Sequence, residues 1–341
     1  MYDTREEVEK LGIRDPEFAE YLKVNGLDNI KSIADLPGLD ASSVATSHDP
    51  GFVIDVPMRD GYLNPLRVHK PESRPADGKS PLVVLIYGGG FVFGDNTQMS
   101  PLARLLNKLH GATVVNLTYR LAPTHPFPAA PNDVWDNLKW IVDNVETLGA
   151  DPSAGFVVGG GSAGANLAAV SVQKWLDQKL EPQITGLYLA IPVIFDGVNV
   201  PERYKNLWFS REQNANAPLL NGEAVQGLLA AYAPDRSSPD WSPVNTDNHS
   251  TGLPRTYISV SGEDPLRDDG LVYASILREK GVDVRLDVTP GVSHGHVLFK
   301  GLQSASKTNI EGAKGFGWLL GDEKSAEEIL KVIPNGELER V

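Results

Sequence analysis

The chain has 341 residues, of which 41% are hydrophobic and 22% charged, and a net charge of −13; such a balance is ordinary for a globular protein and offers no basic surface to nucleic-acid phosphates or anionic lipid. It contains no cysteine, which excludes disulfides, thiol nucleophiles and thiolate metal sites. The charged opening MYDTREEVEKLG has no apolar signal core, and no apolar run approaches the ~20 residues of a membrane span, so a cytoplasmic protein without stable membrane insertion is expected.

In chain order, the first ~45 residues read as amphipathic helices. Thr4 and Glu7 fit a capping box, Asp15-Pro16-Glu17 fits a second helix start, and Asn25-Gly26 fits its stop. GFVIDVPMRDGYLNPLRVHKP reads as a hairpin turning at Asp60-Gly61. From residue 80 strands and helices alternate. The strand-like runs are Leu82–Ile86, Thr113–Leu117, Phe156–Val158, Ile184–Ile191, Thr256–Val260 and Val284–Val288. Ser100-Pro101 starts one helix and Gly111 stops it, while Val134, Leu138, Ile141, Val142 and Val145 form the stripe of another. Continuous apolar strands between amphipathic helices predict a mostly parallel sheet covered on both faces. Residues 196–250, rich in Pro, Asn and aromatics, break the rhythm and read as an insertion above the sheet.

The segment GFVVGGGSAGANLAAV runs from a short strand through Gly160-Gly161-Ser162-Ala163-Gly164 into a helix. This is G-x-S-x-G in the strand–turn–helix context of a nucleophile elbow, where glycines permit the sharp turn and the helix N-terminus faces any anion formed at the serine. No Walker lysine follows Ser162, which disfavours phosphate binding. LVVLIYGGGFVFGD ends an apolar strand in Tyr87 and Gly88-Gly89-Gly90. Glycines there let backbone N–H groups approach an oxyanion closely. Later in the chain, VSGEDPLRDDG presents Glu263, Asp264, Asp268 and Asp269 after a strand, and TPGVSHGHVLF presents His294 and His296 after the last one. The order serine, acid, histidine is that of an α/β-hydrolase. If the last segment is extended, both histidines point the same way, and geometry does not choose between them.

Together YGGGF, YRLAPTHPFPAAPNDV, DPSAGFVVGGGSAGANLA, GEDPLRDDG and PGVSHGH resemble the hormone-sensitive-lipase-like esterases, a branch of the α/β-hydrolases, over roughly residues 50–320. Fungal members associated with secondary metabolism are the most similar. The resemblance implies an α/β fold with a mostly parallel eight-stranded sheet flanked by helices. It implies a helical cap from residues 1–45 and 196–250 over a catalytic core of 46–195 and 251–341. It makes Ser162 the nucleophile, His294 the general base and Asp264 its orienting acid, with the N–H groups of Gly89, Gly90 and Ala163 as the oxyanion hole. Three positions depart from the family pattern: Tyr87 stands where a histidine is usual, Gly161 where an acidic residue is usual, and His296 where an aromatic residue is usual.

The expected function is therefore a serine carboxylester hydrolase working through an acyl-enzyme without metal or organic cofactor. Short acyl chains are expected, because SREQNANAP offers little apolar wall. Phe91, Phe195, Trp208, Phe209 and His296 are candidate substrate contacts, and the aromatics fit ordinary packing as well. Tyr87 is a candidate support for the glycine loop, through its hydroxyl or by packing. The expected partner is a small-molecule ester, with a second copy of the chain as an option and no nucleic acid. A hydrolase-like lyase or cyclase and a non-catalytic small-molecule receptor are the alternatives.

Overall fold

The computed structural model describes residues 2–31, 51–73 and 75–333. The remainder of the 1–45 segment and the last residues of the 251–341 segment lie outside the described residues. Two short helices open the chain, α1 (Arg5–Leu11) and α2 (Pro16–Val24). Thr4 and Glu7 form the capping box of α1; Asp15 caps α2 by accepting from the Phe18 N–H, and Pro16 takes the first helical position.

Eight strands form one sheet: β1 (Phe52–Pro57), β2 (Leu63–His69), β3 (Leu82–Ile86), β4 (Thr113–Leu117), β5 (Phe156–Gly161), β6 (Gly186–Ala190), β7 (Arg255–Ser261) and β8 (Val284–Thr289). Their order is β1-β2-β4-β3-β5-β6-β7-β8. The β1–β2 hairpin turns at Asp60-Gly61, where the Met58 carbonyl accepts from the Gly61 N–H. β2 runs antiparallel to β1 and β4, and the other pairings are parallel. The expected strand Ile184–Ile191 is shorter than read. Ile191 has φ 42 and leaves the strand, so its apolar side chain belongs to the site beyond the strand rather than to the ladder.

Between the strands come α3 (Ser100–His110), α4 (Ala129–Asp143), α5 (Val145–Leu148) and α6 (Ala163–Asp177). α7 (Ser210–Gln213) and α8 (Gly222–Tyr232) lie in the insertion; α9 (Arg267–Glu279), α10 (Gln303–Leu320) and α11 (Ala326–Val332) complete the chain. Val83, Leu85, Val157, Tyr188 and Tyr257 face α3, α10 and α11. Val84, Ile86, Val158, Leu189 and Ile258 face the opposite layer, with α4, α6 and α9. Burying each such side chain contributes roughly 1.5–3 kcal/mol, which is why β3, buried along its whole length, reads as an unbroken apolar run, while β4, equally buried, carries Thr113 and Asn116. Among the described residues no helix is long and apolar enough to cross a membrane.

The N-terminal helices meet the insertion. Phe18, Leu22 and Leu27 share a small core with Leu219, Val292 and Phe299. Gln213 donates to the Glu9 carbonyl at 2.7 Å, and the Leu219 N–H to the Ile30 carbonyl at 3.2 Å. The insertion is fastened to α9 by two adjacent buried carboxylates. Asp268 accepts from the N–H groups of Phe209 (2.7 Å) and Ser210 (2.6 Å). Asp269 accepts from the N–H groups of Ile194 (2.8 Å) and Phe195 (3.1 Å), from Trp208 Nε1 (2.8 Å) and from Arg211 (3.1 Å). Burial pushes the Asp269 carboxyl up to about 6 despite these donors.

Candidate active site

Ser162 sits between β5 and α6 with φ 53 and ψ −116, a conformation that costs on the order of 1–3 kcal/mol for a residue with a side chain. The surrounding backbone holds it there: its N–H donates to the Ala190 carbonyl at 2.8 Å and its own carbonyl accepts from Asn166 at 3.1 Å. The turn needs glycine on both sides. A Cβ at Gly160 would stand 2.5 Å from the Gly164 carbonyl carbon, and one at Gly164 would stand 2.1 Å from the Ile86 oxygen.

The loops after β7 and β8 bring the acid and the base to the serine. Ser162 Oγ lies 3.0 Å from His294 Nε2, and His294 Nδ1 donates to Asp264 Oδ2 at 2.7 Å. Asp264 is fully buried, and its other oxygen accepts from the Leu266 N–H at 2.8 Å. A neutral imidazole oriented in this way can take the serine proton as the oxygen attacks and return it to a leaving group. The Asp264 loop is braced from two distant parts of the chain. Asn214 of the insertion donates to the Asp264 and Gly262 carbonyls, and Arg14 grips Glu263 with Nε and Nη2 at 2.6–3.1 Å.

The glycine triplet borders the same space. Gly89 has φ 121, and a Cβ there would stand 2.0 Å from the Phe93 oxygen. The loop closes through the Gly89 carbonyl, which accepts from the Val92 and Phe93 N–H groups. The N–H groups of Gly89, Gly90 and Ala163 have no backbone acceptor among the described residues, so they are available to an oxyanion. Tyr87 is not bonded to the glycines. Its hydroxyl donates to the Tyr119 carbonyl at 3.1 Å, and the Tyr119 hydroxyl donates to the Tyr87 carbonyl at the same distance, with the rings stacked 4.4 Å apart. Tyr119, which sequence reading missed, thus holds the peptide that leads into Gly88.

A cavity of about 260 Å³ opens at Ser162 and His294, larger than the ~150 Å³ that holds a benzene ring. Its wall on the insertion side is apolar, from Leu219, Leu220, Val225, Leu228 and Leu229. The segment SREQNANAP does not line it, so the polar wall expected from the sequence is absent. Phe91 lines the cavity, stacked on Tyr232 at 3.8 Å. Phe195, Trp208 and Phe209 do not. Phe195 is fully buried, Trp208 is bonded to Asp269, and Phe209 lies under the Arg5 guanidinium at 3.9 Å. Their backbone or ring N–H groups serve the carboxylate clamp, which needs them elsewhere.

His296 lines the cavity without reaching the serine. The segment is not extended, so the two histidines do not point the same way: Gly295 has φ 75 and a 3₁₀ turn begins at His296. Nδ1 lies 3.2 Å from the Ser293 carbonyl and Nε2 lies 3.1 Å from Thr308 Oγ1. Nδ1 also lies 3.2 Å from the Ser261 hydroxyl, so both ring nitrogens are occupied by protein partners. Burial pushes this imidazole down to about 4 and keeps it neutral.

The family model described as alpha/beta hydrolase fold matches residues 83–298. An AB hydrolase superfamily protein of Schizosaccharomyces pombe is 32% identical over 94% of this chain and 98% of its own length. Carboxylesterase NlhH of Mycobacterium tuberculosis is 36% identical over 69% of this chain and 72% of its own. Versiconal hemiacetal acetate esterase of Dothistroma septosporum is 28% identical over 81% and 85%. Among solved structures, vibralactone cyclase superposes with TM-score 0.78 at 29% identity, covering 92% of this chain and 96% of that one. The chain belongs to the α/β-hydrolase family, in its hormone-sensitive-lipase-like branch. Within it, the chain is a carboxylesterase-type hydrolase.

Proposed function

We propose that the chain is a serine carboxylester hydrolase in which Ser162 attacks, His294 is the base and acid, and Asp264 orients it. The oxyanion is held by the N–H groups of Gly89, Gly90 and Ala163. The hydrogen-bonded chain from Ser162 through His294 to Asp264 carries this reading. The serine oxygen adds to the ester carbonyl as its proton passes to His294 Nε2; the proton then leaves with the alcohol, and water hydrolyses the acyl-enzyme by the same route. Residues 1–45 and 196–250 act as a cap over a core of 46–195 and 251–341, a division supported by the contacts of Gln213, Leu219 and Phe18 across the two segments.

The substrate is a small ester with an acyl chain of roughly C2 to C6; beyond the cavity each uncovered methylene forfeits ~0.8 kcal/mol of burial. A role in natural-product metabolism draws support from the relative that acts on versiconal hemiacetal acetate. Ser162→Ala should remove hydrolysis by about 10⁴–10⁶-fold in kcat while the protein stays folded; retention of a tenth of the activity would sink the reading. The similarity to a cyclase favours one second reading, intramolecular capture of the acyl group in place of water. Hydrolysis in ¹⁸O-water separates the two, since only hydrolysis labels the carboxylate product.

A further inference from the structure

We propose that Gly161 opens a side lobe of the cavity, toward α3 and α10, and that this lobe receives an oxygen-bearing substituent of the ester. This rests on the esterase reading and names the substrate class of that site.

Of the glycines around Ser162, Gly160 and Gly164 are demanded by backbone contact. Gly161 is not. A Cβ there would meet nothing within 4 Å, and its φ lies outside the left-handed region. Neither packing nor conformation requires a glycine, so the missing side chain has one structural effect: it leaves space at the cavity wall, which Gly161 lines. The neighbouring strands continue that space. Gly161 is in register with Ala190, and Ala190 with Ser259, and partners in register share a face. Small side chains therefore follow one another across three strand ends. Opposite them on α10 is Gly312, which also lines the cavity. A Cβ at Gly312 would stand 2.7 Å from the Tyr188 hydroxyl, so glycine there makes room for that group.

The polar atoms of the lobe lack protein partners. Gln98 Oε1 is buried without a hydrogen bond. The hydroxyls of Tyr188 and Ser259, residues 8% and 7% exposed, have no hydrogen bond among the described residues. All three residues line the cavity. Most buried polar groups in folded proteins have a partner, so two partnerless hydroxyls on one cavity wall are open to a ligand oxygen. Burial raises the Tyr188 pKa, so its hydroxyl remains a donor throughout the working pH range. An alkyl group in the lobe would leave these atoms unsatisfied. A ketone or hydroxyl oxygen would accept from Tyr188 or Ser259. Sites with buried hydrogen-bonding groups reject the analogue that lacks the partner more strongly than size alone can.

Two isosteric substrate pairs test this. p-Nitrophenyl 4-oxopentanoate against p-nitrophenyl 4-methylpentanoate places the oxygen in the acyl half; 3-oxobutyl acetate against 3-methylbutyl acetate places it in the alcohol half. Each kcat/KM ratio is divided by the ratio of hydroxide-catalysed rates. In one pair the oxo ester should be favoured by about tenfold or more. For that pair Tyr188→Phe should cut the ratio at least about threefold, and Gly161→Val should abolish it by filling the lobe. Ser259→Ala gives the same reading if either variant fails to fold. Ratios near one in both pairs, or a preference that all the variants retain, overturn the lobe while leaving the esterase reading intact. If no ester is hydrolysed and a fluorophosphonate does not label Ser162, both fall.

Discussion

Arg14 and Glu263 grip one another across 249 residues of sequence, and Glu263 is the residue immediately before Asp264. The arginine lies between α1 and α2, outside the sheet, yet its Nε and Nη2 hold the loop that carries the acid. The neighbouring Leu11 carbonyl accepts from Gly291 at 2.8 Å, so the same N-terminal segment also touches the turn ahead of His294. Arg14→Ala should lower kcat about three- to tenfold with KM little changed, because the loop's position matters most in the transition state. Arg14→Lys should recover only part, since an ammonium cannot reproduce the two-pronged contact. Steady-state kinetics on one ester checks it; a wild-type kcat in Arg14→Ala would make the pair a surface contact only.

The two histidines should separate sharply. His294 is bonded to both Ser162 and Asp264, whereas His296 is held by Ser293 and Thr308. His294→Ala should lose on the order of 10³-fold or more in kcat/KM, and His296→Ala less than about tenfold. Measuring both on a short-chain ester decides it, and a dead His296→Ala beside an active His294→Ala would reverse the assignment.

Tyr119→Phe should lower kcat more than Tyr87→Phe. The first removes the bond to the Tyr87 carbonyl, which leads directly into the glycine loop; the second removes one to the Tyr119 carbonyl, a strand away. A buried hydrogen bond of this kind is worth ~1 kcal/mol, so a loss of about three- to tenfold is expected for Tyr119→Phe. Equal kcat values in the two variants would show that the stacked rings, rather than the hydroxyls, hold the loop.

The elbow, the order of serine, acid and histidine, and the central strands were legible because each is local. Their glycines, caps and apolar runs sit within a few residues of what they shape. What was not legible depends on distant partners. Phe195, Trp208 and Phe209 look like pocket walls in a sequence, but the two carboxylates on α9 draw that stretch away from the cavity. Leu228 and Leu229 lie in a helix whose apolar residues read like any packed face, and only the fold puts them against the glycine loop. What separates the two histidines is Gly295, whose left-handed backbone turns the chain between the imidazoles and leaves His296 on the cavity wall, a turn that geometry read from the sequence did not supply.

Acid should weaken the fold through His296. Burial holds its imidazole at about 4, against 6.5 for an ordinary histidine. Between these values the unfolded chain takes the proton and the folded one does not, so stability rises with pH from about 4 to about 6.5 and is lost on acidification through that window. At ~1.4 kcal/mol per pKa unit, the contribution is roughly 3 kcal/mol. Urea unfolding of wild type and His296→Gln at pH 7 and pH 4.5 measures it: the variant should lose less stability between the two. Equal losses would remove His296 from the account.

Asp264, Asp268 and Asp269 fall within six residues of one another, and the first meets His294 while the other two fasten the insertion. The insertion is therefore not an interchangeable cassette. Transplanting residues 196–250 from a relative brings new donors to a receptor surface, the first turn of α9, that follows directly on the loop supporting the histidine. A chimaera that mismatches the two aspartates would disturb the lid and the proton relay together, so the unit that can be exchanged is the insertion together with residues 264–269.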